Sequence, residues 1–379
     1  MKFKVCLDIR PAQTGAKHTG IGVYASELAR AIQGLEHGLD IWYLVLANYP
    51  LPDFNLPPDR LICVWRPSKP ERWHVAFDWF FLQKLLVNKG INLFHSLTLG
   101  TVYPANNLRV ISTVHDLIPT LFPEDYVTSL DGKWLYQLKL RSICASNGLI
   151  AISEATKQDV LKHYHVSADK ISVAYLAASS IYIPAGLTVQ NEFRERLRVP
   201  DSYILYLGGY SFRKNVPVLI QAFSQLKNLR HHVKLVLAGG IKSGPEEQLR
   251  SLIAELGIQE DVVWLGHISE RDLPILYSGA EIFVYPSIYE GFGLPVLEAM
   301  ACGAPVITSN VSSLPEVAGD AAVLVDPHDK IGLTMAMRRI LEDSSFHADL
   351  GRKGLSRSAA FSWDRCARQT VAVYQQYLS

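Results

Sequence analysis

A doubly wound α/β fold, built twice, is the class this sequence predicts, and three observations predict it. Short β-rich apolar runs alternate with longer helical periodicities along almost all of the 379 residues. The alternation lapses once, in Pro-, Ser- and Ala-containing sequence over residues 178–200, and resumes with a fresh strand at Tyr203. The chain is also long enough for two domains of ordinary size.

The elements follow in order. "KVCLDI", "DIWYLVLA", "LICVW", "LFHS", "VISTVHD" and "GLIAIS" in the first half are continuous apolar runs of strand length. Such runs are the mark of parallel strands buried on both faces. The second half supplies "YILYLGG", "VKLVLAG", "VVWLG", "EIFVYPS", "PVITSN" and "AAVLVD". Helical patterns such as "GVYASELARAIQGLE", "RDLPILYSGA" and "KIGLTMAMRRILED" lie between them. The expected organisation is a first domain over 1–180, a second over 181–362 and a closing helix over 363–379. Two doubly wound sheets facing across a cleft would bring ligands to the carboxyl ends of their strands.

Composition removes several function classes. Hydrophobic residues are 49% and charged residues 19%, so the chain can bury sizeable cores. A formal net charge of +1 gives no support for nucleic-acid binding by bulk phosphate neutralisation. The five cysteines are scattered, with no CxxC and no ligand spacing, which suits reduced thiols in a cytoplasmic protein. The first residues contain no apolar run of signal-peptide length, and no window is long and apolar enough to span a membrane.

"EGFGLPVLE", residues 290–298, carries the most chemistry. The strand "EIFVYPS" ends at Pro286, so Glu290 falls in the loop beyond a strand's carboxyl end. Pro295 suits the first turn of the helix that follows, which would place Glu298 in that first turn. The free N–H groups of a helix start, with Gly291 and Gly293, form a place for anionic oxygens. Carboxylates only accept hydrogen bonds at neutral pH, and sugar hydroxyls are their natural neutral partners. A nucleotide sugar carries hydroxyls on both sides of a diphosphate, which fits two glutamates around a phosphate cradle. A surface loop before a helix, with Glu298 complementing the dipole, is the competing reading.

"YLGGYSFRKN", residues 206–215, sits after the first strand of the second half. Gly208-Gly209 end the strand, and Arg213 and Lys214 offer the two cations a diphosphate needs. Near the start, "HTGIGVY" leads with Gly20-Ile21-Gly22 into a helix. Gly20, Gly22 and Ala25 match the letters of a dinucleotide fingerprint, but the preceding strand ends about ten residues too early for its tight turn.

Together "GGYSFRKN", "EGFGLPVLE" and "TGIGVY" resemble the retaining family 4 glycosyltransferases of GT-B fold, over nearly the whole chain. The resemblance implies roles by position. Arg213 and Lys214 would bind the donor diphosphate, Glu290 would face the hexose, and Glu298 would hold the ribose hydroxyls. Gly209 and the backbone from Gly291 through Phe292 and Gly293 to Leu294 would contact sugar hydroxyls and phosphate. His267 and Ile268 lie in the segment that would meet the nucleobase through backbone groups, and Gly20 and Gly22 in one that would close over the donor phosphates. His115, ending "VISTVHD", would sit near the reacting carbon. Arg213, Lys214, Glu290 and His115 are thus the expected catalytic set. Ser153 borders the acceptor side under the resemblance, and a helix N-cap explains it equally well. The last helix would cross back onto the first domain, with Trp363 packed there.

No DxD motif occurs, so no metal and no cofactor are expected beside the nucleoside-diphosphate sugar, a substrate. The donor expectation is GDP-mannose ahead of UDP-glucose, with a saccharide or lipid-linked acceptor in surface polysaccharide synthesis. A nucleotide-sugar 2-epimerase of the same fold and a non-catalytic polysaccharide-binding protein are the rival readings. One segment, "PSKPERWHVAFDWFFLQKLLVNKG", mixes Trp73, Phe77, Trp79 and Phe80 with Lys69, Arg72, Lys84 and Lys89. A helix buried on the first sheet is the favoured reading; peripheral contact with the inner face of a membrane is the other.

Overall fold

The computed structural model describes residues 2–65, 77–100, 102–126, 130–226, 233–240 and 243–379. They form two compact units, Met1–Leu176 with Ser362–Ser379, and Ala177–Phe361.

The first unit is built on a parallel sheet of β1 (Lys4–Asp8), β2 (Asp40–Leu46), β3 (Leu61–Val64), β4 (Leu93–Ser96), β5 (Arg109–Val114), β6 (Gly148–Ala151) and β7 (Ile171–Val173). Its order is β3-β2-β1-β4-β5-β6-β7. The second unit's sheet holds β8 (Tyr203–Leu207), β9 (Lys234–Ala238), β10 (Val262–Gly266), β11 (Ile282–Tyr285), β12 (Val306–Ser309) and β13 (Ala322–Val325), all parallel. Its order is β10-β9-β8-β11-β12-β13. Both sheets are doubly wound, and each reverses strand order at its centre, between β1 and β4 and between β8 and β11. β7 escaped the sequence reading because "ISV" is a three-residue edge strand, too short for a pattern.

Central strands such as β4, β6, β11 and β12 are buried at every position, which is why they read as unbroken apolar runs. The helix Gly20–Gln33 buries Tyr24, Ala25, Leu28, Ala29 and Ile32 along one face. It begins at Gly20, so Gly20-Ile21-Gly22 forms its first turn rather than a loop ahead of it. A Cβ on Gly22 would lie 2.3 Å from the Ala16 carbonyl oxygen and 2.4 Å from Lys17 Cα. The glycine is therefore required by backbone packing.

The closing helix Trp363–Leu378 belongs to the first unit and packs on Gly20–Gln33. Ser362 caps it by accepting from the Arg365 amide, and Trp363 is buried near the Tyr24 ring. Tyr374 on this helix bonds His95 Nδ1 at 2.6 Å, and His95 Nε2 bonds Thr113 at 2.8 Å. Thr113 in turn meets the Tyr24 hydroxyl at 2.9 Å. All four side chains are fully buried, so this chain of hydrogen bonds satisfies groups that water cannot reach.

The aromatic and basic segment divides its two readings. From Asp78 to Asn88 it is helical, opening with a π-turn, and Leu82 and Leu86 are buried in the core beside β2 and β3. Trp79, Phe80 and Phe81 are exposed, which burial on the sheet does not explain. Lys69, Arg72 and Trp73 lie outside the described residues. Among the described residues no helix is long and apolar enough to cross a membrane.

Gly22→Ala tests the close approach. Alanine is favoured in a helix by about 1 kcal/mol. Overlap with fixed backbone costs on the order of 1–3 kcal/mol. We expect thermal denaturation to show a net loss of stability; a raised melting temperature would contradict the packing account.

Candidate active site

The second unit's site is assembled from the loops after β8 and β11, neighbours at the point where strand order reverses. After β8 the chain passes Gly208 and Gly209, turns through Phe212–Lys214, and enters the helix Val216–Ser224. Asn215 makes the corner at φ 56°. Its amide donates to the Pro286 and Pro327 carbonyls at 3.1 and 2.6 Å, fixing this loop to the one after β11. The Ile288 amide closes the same seam on the Arg213 carbonyl at 2.7 Å.

At the centre lies an ion cluster. Arg213 and Lys214 both reach Glu290 Oε1, at 2.7 and 2.6 Å. Arg213 also donates to the Tyr289 carbonyl at 3.1 Å, and Lys214 to the Tyr285 hydroxyl. Lys214 and Glu290 are buried. Burial pushes the Glu290 carboxyl up, but Lys214 and Arg213 outweigh it and hold the group below the usual carboxylate range. One carboxylate between two cations leaves the cluster with a net charge of about +1, so it neutralises itself in part and still attracts an anion.

The stretch beyond Glu290 is held by its backbone. The Glu290 amide donates to Ser312 Oγ at 3.0 Å. Ser313 Oγ lies 2.9 and 2.8 Å from the carbonyls of Glu290 and Phe292. Gly293 stands at φ 106°, and a Cβ there would meet the Leu314 side chain at 2.7 Å. That turn releases the helix Leu294–Ala301, with Pro295 near its start and Phe292 buried against Phe361. Pro295 has no N–H and the Val296 and Leu297 amides turn back on the Gly293 carbonyl at 3.0 and 3.4 Å, so this start offers an anionic oxygen its dipole and the Leu294 amide.

Glu298 departs from the sequence expectation. The helix begins at Leu294, so Glu298 is its fifth residue and lies in the second turn. A carboxylate there gains little from the N-terminal dipole. It accepts from the Tyr277 hydroxyl at 3.0 Å, beside Tyr182. Burial pushes its carboxyl up to about 7, against the lowering effect of the two tyrosines. Glu290 and Glu298 are thus electrostatic opposites, one kept ionised by cations and one poised to titrate.

The remaining expected residues lie at other strand ends. Gly209 is exposed after β8; after β10, His267 is exposed and Ile268 is buried. Gly20, Gly22 and His115 belong to the first unit. His115 follows β5, its ring edge-on to Tyr24 with centroids 5.0 Å apart. Its Nε2 lies 2.8 Å from the Leu97 carbonyl. A carbonyl only accepts, so Nε2 carries the proton and Nδ1 is left as an acceptor. Desolvation lowers its pKa to about 4, so the ring is neutral at pH 7. Ser153 caps the helix Glu154–His163 through the Thr156 amide. Among the described residues no group of three His, Cys, Asp or Glu could hold a metal ion.

Sequence reasoning missed Tyr285, Asn215, Ser312 and Ser313. Tyr285 and Asn215 stood inside quoted motifs and looked like strand and turn residues. The serines come from a distant loop, and nothing near "VSSLPE" announces their partners.

Two doubly wound parallel units, the second with a cationic, amide-lined site at its switch point, define the GT-B class of glycosyltransferase. The family description "Glycosyltransferase Family 4" matches residues 18–177, and "Glycosyl transferases group 1" matches 189–357. O-antigen chain mannosyltransferase B of Escherichia coli is 35% identical over 70% of this chain and 70% of its own length. Serotype-specific mannosyltransferase WbdA of the same organism is 31% identical over 99% of this chain, which spans only 48% of that longer relative. Sucrose-phosphate synthase of Thermosynechococcus elongatus shares the fold, with a TM-score of 0.76 at 22% identity over 100% of this chain and 99% of its own. The chain belongs to the family 4 glycosyltransferases.

Glu298→Gln tests the titrating carboxyl. A raised folded pKa stabilises the fold fully below the unfolded value of 4.5, and that contribution is lost as pH rises through about 7. The glutamine variant should therefore gain on wild type by on the order of 2–3 kcal/mol as pH is raised from about 5 to about 8. Parallel unfolding curves across that range would show Glu298 to be unperturbed.

Proposed function

We propose that this enzyme transfers a hexose from a nucleoside-diphosphate sugar to a hydroxyl of a saccharide or lipid-linked saccharide. The transfer proceeds with retention and without a metal, in the synthesis of a surface polysaccharide. The observation that carries the proposal is the Arg213–Glu290–Lys214 cluster, its Glu290 and Lys214 buried, beside the start of Leu294–Ala301 at the carboxyl ends of β8 and β11. Relatives named as mannosyltransferases of O-antigen chains support mannose as the sugar and GDP-mannose ahead of UDP-glucose as the donor. The same reading puts the enzyme in the cytoplasm, at the inner face of a membrane where the acceptor is lipid-linked.

In this reading the donor diphosphate lies on Arg213, Lys214 and the helix start, which stabilise the charge that grows as the glycosidic bond breaks. These groups do the work a metal does elsewhere. Glu290, Gly291, Phe292, Gly293 and Leu294 line the hexose side. Glu298 receives the ribose hydroxyls, and the backbone at His267 and Ile268 meets the base. His115 accepts a hydrogen bond from a sugar hydroxyl at Nδ1, and Gly20 and Gly22 set the start of the helix that carries Tyr24. Retention follows from attack on the face the leaving phosphate vacates, with that phosphate taking the acceptor proton, so no protein nucleophile is assigned. A 2-epimerase would turn one nucleotide sugar into another with no acceptor; this enzyme is expected to release free nucleoside diphosphate only when acceptor is present.

Glu290→Gln separates binding from transfer. It leaves the buried Lys214 and the half-buried Arg213 against a neutral amide, which costs on the order of 3 kcal/mol. A bound diphosphate would replace the lost charge, so GDP should raise the melting temperature more in the variant than in wild type. Sugar transfer should fall about a hundredfold or more. Lys214→Ala should lose both nucleotide stabilisation and transfer. Absence of stabilisation of the wild-type enzyme by any nucleoside diphosphate or its sugar would overturn the reading, since about 100 Kd of ligand adds roughly 2.7 kcal/mol.

A further inference from the structure

The helical segment from Asp78 to Asn88 wears its polarity inside out. Asp78, Leu82 and Leu86, spaced i, i+4 and i+8, face inward. Phe80 and Phe81 are 61% and 62% exposed, and Trp79 and Val87 are exposed beside them. The Trp79 and Phe80 rings stack with centroids 5.6 Å apart, and Phe77 and Phe81 meet at 5.7 Å. Trp65, one residue beyond β3, is 65% exposed, while Val64 before it packs in the same core cluster as Leu82 and Leu86.

These rings are mounted rigidly. Arg10 donates to both carboxylate oxygens of Asp78, at 2.8 and 2.9 Å. It also grips both oxygens of Asp8, the last residue of β1, at 2.7 and 2.6 Å. All three side chains are buried, so the start of the segment is pinned to the middle of the sheet. The aromatic face cannot turn inward without breaking a fully desolvated ion triad.

The surrounding charge selects what could cover this face. Among the described residues 77–90 the charged side chains are Lys84, Lys89 and Asp78, and Asp78 is consumed inside by Arg10. Lys84 and Lys89 are exposed on the helix itself. Exposed Trp and Phe flanked by lysines match the boundary between headgroups and acyl chains of a bilayer containing anionic lipid. A second copy of this chain fits poorly, because a two-fold contact would bring the same cations face to face.

We propose that the outward face of Asp78–Asn88, with Trp65, docks the enzyme on an anionic membrane surface. Phe80 and Phe81 enter the acyl boundary, and the basic side chains meet the headgroups. This extends the lipid-linked acceptor reading above, but vesicle binding needs no donor, so the two can fail separately.

The test is co-sedimentation of the full chain with vesicles of phosphatidylcholine alone or mixed with phosphatidylglycerol. Wild type should bind the mixed vesicles, with a blue shift of tryptophan fluorescence and weaker binding at high salt. Phe80→Ser with Phe81→Ser should weaken binding by at least about tenfold, and Lys84→Glu should weaken it in the same direction. Thermal stabilisation by GDP should be unchanged in the double variant, which shows that it is folded and that its donor site is intact. Failure of wild type to bind mixed vesicles, or equal binding by a folded double variant, would overturn the proposal. So would self-association without vesicle binding that the same substitutions abolish, which would assign the face to a second copy.

Discussion

A single carboxylate shared by two cations organises the second unit. Burying Lys214 and Glu290 separately would cost several kcal/mol for each ion, and pairing with each other and with the half-buried Arg213 makes the cluster tolerable. The pairing demands that the loops after β8 and β11 stay in register. That demand explains the seam of backbone and amide bonds at Ile288, Tyr289 and Asn215, and the two serines that hold the carbonyls around Glu290. It also explains the position. Only at the reversal between β8 and β11 do two neighbouring strands send their following helices to opposite faces, leaving a crevice beyond their ends.

The first unit treats charge differently at its own strand ends. After β1, Arg10 is saturated by two aspartates and serves as a fastener. After β5, His115 is neutral, with one nitrogen committed to Leu97. Two residues back along β4 and β5, His95 bonds Thr113 in a parallel arrangement, tied to Tyr24 on one side and Tyr374 on the other. The closing helix therefore does more than fill space. Tyr374 completes a buried chain that ends on the tyrosine whose ring supports His115.

Much of this was legible in the sequence because burial on both faces writes itself as unbroken apolar runs. Twelve strands were visible that way, and β7 was not, being three residues at a sheet edge. The candidate site was legible where its residues are local, as in Arg213-Lys214 and Glu290 to Leu294. It was illegible where partners come from afar: Ser312, Ser313 and the Tyr277 that meets Glu298. The placement of Glu298 in the first turn failed for a local reason. Proline is tolerated throughout the first turn, so Pro295 did not fix where the helix begins. The aromatic segment misled in another way. Its rings promised a core element, but the face that enters the core consists of Leu82 and Leu86, with Asp78 held there by Arg10.

The tautomer of His115 limits what each unit can contribute to the proposed transfer. With Nε2–H given to the Leu97 carbonyl and the ring held neutral by desolvation, the imidazole can accept a hydrogen bond at Nδ1 but has no proton for a leaving group. Glu290 is held ionised, so it has no proton to give either. Glu298 retains one near neutrality, yet its place in the second turn, against Tyr277 and Tyr182, sets it among groups suited to hydroxyl recognition. Neither His115 nor Glu290 is therefore a competent general acid at pH 7. In the proposed transfer, departure of a nucleoside diphosphate would be driven by charge stabilisation at Arg213, Lys214 and the start of the helix Leu294–Ala301. A diphosphate needs little protonation to leave, and an enzyme with these residues is matched to that leaving group rather than to a poorer one.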